Sequence, residues 1–366
     1  MNVRALRRSE SGFTITELLI STGIMLTVTG AIFGLMNPAQ GSAQAQPEVA
    51  DMQQRMRIAS ETLFKELVMS GAGPYQGATT GSLINFFAPI LPRRTGRSDP
   101  DPTQGTGSFR SDAITLSYIP NSYSQTTISS SMPNVAAELK VSNQPNCPKG
   151  QQLCGFQAGM QVIIFDTSGN FDTFEITLVQ DDAGHIQHRQ EDLNYPYSIG
   201  AQVTQIISNT YYLNRTTNQL MRYNGADEDL PMVDNIVDLR FDYFGDPNPP
   251  LLPKPPPGAA NCLYDAAGNY VGPPVMAAND GSLAALTEAV LTDGPYCGSG
   301  ANSFDADLLR VRKVRVSLRM QASSPALRGA DTALFRNPGS SRGGERHVPD
   351  YRVTFEVTPR NLNLSR

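Results

Sequence analysis

Three places in this sequence carry residue types at spacings that could do chemistry. DDAGHIQHRQED sets His185 and His188 close together with Asp181 and Asp182 just upstream, the ingredients of a divalent transition-metal site. FDTSGNFD offers Asp166, Asn170 and Asp172 as oxygen ligands for a harder cation such as calcium. The third place is a single residue, Glu17, inside the apolar stretch from Phe13 to Met36. An ionised carboxylate at the centre of a bilayer costs roughly 2.5 to 3.5 kcal/mol on insertion scales, so such a residue demands a partner.

Both cation readings compete with a plainer one. The histidines lie between expected strands, where a polar turn accounts for the stretch, and no cysteine or further histidine of ligand spacing accompanies them. FDTSGNFD lacks the spacing and the final acidic ligand of an EF-hand, and Ser168-Gly169-Asn170 suits a hairpin turn. No metal and no cofactor is therefore expected, and Asp166, Asn170, Asp172, His185 and His188 are the residues at which that expectation can fail. The sequence has no Gly-rich phosphate loop, nucleophile elbow or zincin motif, and nothing in it supports an enzyme.

The segment around Glu17 positions it. Met1 to Gly12 carries Arg4, Arg7 and Arg8 against Glu10, a basic flank that the positive-inside rule keeps in the cytoplasm. From Phe13 to Met36 Glu17 is the only charge. At about 1.5 Å per residue this run makes a helix of roughly 36 Å, enough to cross a bilayer core of about 30 Å. A single-pass anchor over 13–36 follows, with the bulk of the chain on the far side. A secretory signal would end its apolar run at a small-residue cleavage site; here the available cut precedes the run, between Gly12 and Phe13.

A basic leader, Gly12, Phe13 and a glutamate at the fifth apolar position together resemble the class III signal of type IV prepilins and pseudopilins. GFTITELLIS compares with the usual GFTLIELLI of that family, with Thr16 where Ile or Val is common. The resemblance implies that a prepilin peptidase in the bacterial inner membrane removes residues 1–12 and methylates the amine of Phe13. It also implies that Glu17 is the assembly residue and meets the Phe13 amine of a neighbouring subunit. Two charges that are each costly in low dielectric offset much of that cost once paired and hydrogen-bonded. The alternative is a plain anchor whose Glu17 snorkels to the headgroups.

Beyond the anchor, Asn37-Pro38 predicts a kink or break, because proline removes a donor and crowds the preceding turn. Helical periodicity returns over 48–70, where Val49, Met52, Met56, Ala59, Leu63 and Leu67 recur on one face. That stripe is expected to pack under a sheet of the same chain, and Gly71 with Gly73-Pro74 ends the helix. From there short β-type runs alternate with turn clusters. The expected strands are 113–119, 161–166, 174–179, 202–213, 219–223, 236–244, 309–320 and 351–357. A solvated loop is expected at 92–108. An insertion, 246–305, opens with PNPPLLPKPPP, a stiff polyproline II stretch without strand pairing.

Cys147, Cys154, Cys262 and Cys297 allow three disulfide connectivities; proximity favours Cys147 with Cys154 and Cys262 with Cys297, bonded if the head is exported. Several head segments, among them FRSDAITLSYI, NTYYLNRTTNQLMRY, IVDLRFDYFGD, RVRKVRVSLRMQ and YRVTFEVTPRN, are similar to PilW-type minor pilins, and J-class type II secretion pseudopilins share the plan.

The expected architecture is α+β and pilin-like. It comprises a cleaved leader (1–12), a long N-terminal helix (13–70, transmembrane over 13–36 and amphipathic over 48–70), and a β-rich antiparallel head (71–366). The resemblance implies a minor pilin that primes or caps type IV pilus assembly. Its implied partners are the prepilin peptidase, other minor pilins, the major pilin and the inner-membrane assembly platform, with the head in the periplasm or at a pilus tip. A type II secretion pseudopilin and a pilus-presented adhesin built on the 246–305 insertion are the alternatives. Direct nucleic-acid binding is not expected, because 29 Lys and Arg are outnumbered by 34 Asp and Glu and form no basic stripe. Removing the leader, with its three arginines and one glutamate, would shift the formal charge from -5 to -7.

Overall fold

The structure, a computed structural model, describes residues 12–73, 82–95, 109–122, 124–144, 147–189, 192–226, 228–274, 281–296, 305–341 and 347–364, with backbone alone at 36–42. One helix, α1 (Ile15–Met69), runs 55 residues. The break expected at Asn37-Pro38 does not occur, and α1 also continues through Pro47. An interior proline costs a helix about 3 kcal/mol by removing one hydrogen bond and crowding a carbonyl. The long ladders on either side absorb that cost, and exposed Pro47 leaves the freed carbonyl of Ala43 open to water.

The chain forms two compact units, Met1–Met52 with Gln321–Asp350 and Gln53–Met320 with Tyr351–Arg366. In the first, Ile15–Leu35 has a mean hydropathy of 2.0 and none of it is buried, so it is long and apolar enough to cross a membrane. Farther along α1, the Glu48 carboxylate accepts hydrogen bonds from Ser323 N–H and, at 2.8 Å, from its hydroxyl. The 321–350 segment gathers around buried Leu327, Phe335 and Val348, and its backbone closes through Val348 N–H to Leu327 O. This grouping of a late segment with the early helix is invisible in the sequence.

The second unit holds β1 (Ile90–Leu91), β2 (Ala113–Tyr118), β3 (Gln125–Ser130), β4 (Leu139–Val141), β5 (Gln161–Phe165), β6 (Phe171–Glu175), β7 (Leu178–Gln180), β8 (His185–Gln187), β9 (Gln202–Gln205), β10 (Ile207–Asn214), β11 (Gln219–Tyr223), β12 (Asp229–Asp234), β13 (Ile236–Gly245), β14 (Ala284–Leu286), β15 (Val311–Met320) and β16 (Tyr351–Val357). Their sheets run β1-β2-β10-β11-β12, β14-β13-β15-β16 and β6-β5-β9-β3-β4-β8-β7. All the pairings are antiparallel. An apolar N-terminal helix with an antiparallel body makes the chain α+β, as expected.

In the third sheet β6 and β7 stand at opposite ends, yet only Ile176 and Thr177 separate them in the chain. The sheet must therefore curl until its edges meet, and its inner face closes on Ile128, Val141, Val162, Ile164, Phe174 and Val203. The strand expected at 174–179 is the corner between β6 and β7. The strand expected at 202–213 is likewise two, β9 in the curled sheet and β10 in the first. They part at Ile206, which packs in one cluster with Phe86, Phe87 and Phe165. The curled sheet is thus an excursion between β2 and β10, which pair directly from Tyr118 opposite Ile207.

Against these sheets α1 buries Met56, Ala59, Leu63 and Leu67, the expected stripe, whereas Val49 is exposed. Each fully buried leucine contributes about 1.5 to 3 kcal/mol by leaving water. Phe64 meets Phe355 of β16 at 6.5 Å between centroids. The helix stops at Gly71, whose φ of 80° suits glycine and where a Cβ would lie 2.7 Å from Leu362. Asn361 Nδ2 faces the last carbonyls, those of Val68, Met69 and Ser70, at 3.3 to 3.5 Å. The 246–305 insertion keeps its Pro-rich start outside any strand, but it also supplies β14, paired to β13, and a short helix, α2 (Glu288–Asp293).

Candidate functional site

The start of α1 is built by a reciprocal pair. Thr14 Oγ1 accepts from Glu17 N–H at 3.3 Å, and one Glu17 carboxylate oxygen accepts from both Thr14 N–H and Thr14 Oγ1–H at 2.9 Å. This is a capping box, in which side chains satisfy donors that the first helical turn leaves without partners. The positive end of the helix dipole favours the carboxylate there. Glu17 therefore has a partner within its own chain. Thr14 is the residue that sequence reasoning passed over, although T-x-x-E at 14–17 spells the motif.

Gly12 and Phe13 precede the helix, outside any helix or strand, and Phe13 is 87% exposed. A peptidase reaching the Gly12–Phe13 bond would not need to unwind α1. The amine freed on Phe13 would sit one residue from Thr14, whose N–H already reaches Glu17. The box uses no atom before Thr14. Residues 1–11 of the expected leader lie outside the described residues.

The cation candidates do not converge. Asp166 accepts from Ser168 N–H (2.8 Å), Asn170 N–H (3.1 Å) and Asn170 Nδ2 (3.0 Å), closing the β5–β6 hairpin on itself. The same loop recurs in the insertion as Tyr264-Asp-Ala-Ala-Gly-Asn-Tyr270 beside Phe165-Asp-Thr-Ser-Gly-Asn-Phe171. There Asp265 accepts from Asn269 N–H and Nδ2, bonds that hold its carboxyl below the usual range. Both are turn-forming carboxylates, each oxygen accepting at least one hydrogen bond from its own loop. Asp172 points elsewhere, to Asn194, Tyr195 and Tyr197.

His185 Nδ1 lies 2.9 Å from Glu138, while both ring nitrogens of His188 face backbone carbonyls, of Arg189 at 2.6 Å and Ala137 at 3.0 Å. Asp181 accepts from the N–H groups of Gln152 and Leu153. Among the described residues no three His, Cys, Asp or Glu side chains gather as a metal set.

Cys147 and Cys154 form a disulfide with Cα atoms 5.5 Å apart. Cys262 is also disulfide-bonded, and its expected partner Cys297 lies outside the described residues. Of the loop expected to be solvated at 92–108, residues 96–108 lie outside the described residues, and the described start is not solvated: Pro92, Arg93 and Arg94 are buried, with the Arg94 guanidinium over the Tyr212 and Tyr223 rings. A groove of about 160 Å³ runs between the curled and first sheets, lined by Gln161, Thr173, Ser208, Asn209 and Asn224 among others. Among the described residues its lining is uncharged, and the amide and hydroxyl side chains there offer hydrogen bonds. Set against known protein families, curated proteins and solved structures, the chain matches none of them.

Proposed function

We propose that the chain is a minor pilin, a single-pass inner-membrane subunit that primes or caps type IV pilus assembly and performs no catalysis. The observation that carries this reading is Glu17, the one charge at the exposed start of an apolar helix, held in a capping box beside the Gly12–Phe13 bond. In this reading a prepilin peptidase cuts after Gly12 and methylates Phe13. A subunit moving past in the membrane then exchanges the intrachain Thr14–Glu17 bond for one from its neighbour's Phe13 amine. The exchange fixes the axial register of the helices because only one offset pairs the buried charges. The head, continuous with α1, docks on other minor pilins and the major pilin above the assembly platform.

Mass spectrometry of the N-terminal peptide tests this, taken separately from sheared surface filaments and from inner membranes. Methylated Phe13 in both fractions is the expected result. Methylated Phe13 confined to membranes favours a priming subunit or a short periplasmic pseudopilus, and an intact Met1 in every fraction overturns the proposal.

A further inference from the structure

We infer that the buried charges at the foot of the 246–305 insertion form a proton-sensitive clamp holding both ends of the insertion to the sheet. The clamp centres on Arg310, immediately before β15. Its Nε donates to Asp246 O at 2.7 Å and its Nη2 to Pro247 O at 3.2 Å, gripping the first residues of the insertion. Its Nη1 donates to Asp307 Oδ1 at 2.6 Å. The other oxygen of Asp307 accepts the N–H of Tyr296 at 2.9 Å, near the insertion's far end, and the Arg310 guanidinium lies 4.9 Å from the Tyr296 ring centroid. Gly294 has no room for a Cβ, which would sit 2.4 Å from Asp307 Oδ2. One ion pair therefore gathers chain segments some fifty residues apart, and both of its members are buried.

Asp305 supplies the sensitivity. It is 4% exposed; its Oδ1 accepts Asp307 N–H at 2.9 Å, and its Oδ2 is buried without a hydrogen-bond partner among the described residues. The charges that bear on it are Asp307 beside it, Arg93 from the segment after β1, and Asp293 at the end of α2. Burial pushes its carboxyl up to about 7; Asp307 and Asp293 act in the same direction, and Arg93 and the Asp307 N–H act against it. Burial likewise raises Asp307, opposed by its bonds from Tyr296 and Arg310. Ionising Asp305 puts a second negative charge against Asp307 in a site already short of water.

The sign follows from linkage. A carboxyl whose pKa is higher in the closed state binds its proton more tightly there. Closing is therefore strongest near pH 4, weakens by up to about tenfold per pH unit toward pH 7, and is level above that. The inference does not depend on the filament reading.

Hydrogen exchange by mass spectrometry tests it, on the full oxidised chain in lipid nanodiscs between about pH 5 and about pH 8, corrected for intrinsic exchange. Peptides within 247–272 and 284–296 should show an opening constant that rises more than tenfold up to about pH 7 and then levels. Asp305→Asn should flatten the rise with the insertion closed throughout, and Asp307→Asn should open it at every pH. Arg93→Gln removes the opposing charge and should carry the rise to higher pH, which keeps the test available if Asp305→Asn does not fold. A wild-type profile without a rise, or one that survives in Asp305→Asn, overturns the clamp.

Discussion

Replacing Asp172 tests whether a carboxylate with the look of a cation ligand is instead the anchor of a loop. Asp172 lies on β6, 4% exposed, and accepts from Asn194 Nδ2 at 2.6 Å, Asn194 N–H at 2.9 Å, Tyr195 N–H at 3.3 Å and Tyr197 Oη–H at 2.8 Å. Asparagine keeps the shape but presents one acceptor oxygen and one NH2. In its better orientation a single donor, Asn194 Nδ2, is left facing another donor. An unsatisfied buried group costs about 1 to 3 kcal/mol, and relief of the buried charge offsets part of that, so Asp172→Asn should cost about 1 to 2 kcal/mol. The offset is real because burial raises the Asp172 carboxyl despite its four bonds. Asp172→Ala abandons every donor, including the buried Tyr197 hydroxyl, and should cost about 3 to 5 kcal/mol.

The assay is thermal unfolding of the full chain followed by near-ultraviolet circular dichroism, with Tyr197→Phe completing a double-mutant cycle. A coupling of about 1 kcal/mol between the two positions is expected. Calcium in the buffer should leave the wild type and every variant unmoved. An Asp172→Ala cost below about 1 kcal/mol, or a calcium-dependent rise in the wild type that Asp172→Asn abolishes, would refute the anchor.

Three further outcomes follow, at Tyr243 and at the start of α1. Tyr243 on β13 is buried with a hydroxyl that has no hydrogen-bond partner among the described residues, and burial holds that phenol well above its usual pKa; Tyr243→Phe should therefore stabilise the chain by about 1 kcal/mol in thermal or denaturant unfolding. Glu17→Gln retains a side chain able to complete the capping box but removes the charge, so it should leave cleavage intact and block filament incorporation, while Thr14→Ala should fray the helix start by about 1 kcal/mol and assemble. Blotting sheared filaments reads both, and equal incorporation of Glu17→Gln and wild type would sink the charge-pairing mechanism.

Much of the helix was legible in the sequence because helices are local. The apolar run, the stripe from Met56 to Leu67 and the Gly71 stop all depend on neighbours within a turn or two, and the structure keeps them. The proline at position 38 misled because a local penalty was weighed without the long ladders flanking it. Strands were legible where one strand is long and single-faced, as in β15, whose buried and half-buried residues alternate. Alternation failed at Ile176 and Ile206, since a buried residue at a corner of one sheet or at the junction of two is as apolar as a strand residue. The two- and three-residue strands β1, β4, β7, β8 and β14 are too short to carry a period at all.

The amino-acid sequence by itself determined an apolar helix long enough to span a membrane, its single embedded charge and an antiparallel, turn-rich body, because each rests on composition or short-range period. Only the tertiary structure decided what the charged side chains do. Asp166 serves a turn, Asp172 holds a loop, and Arg310 draws Asp246 and Tyr296 to one point. A carboxylate has the same chemistry whether its donors come from a metal's water, its own turn or a strand sixty positions away, and only folding brings one set of donors within reach.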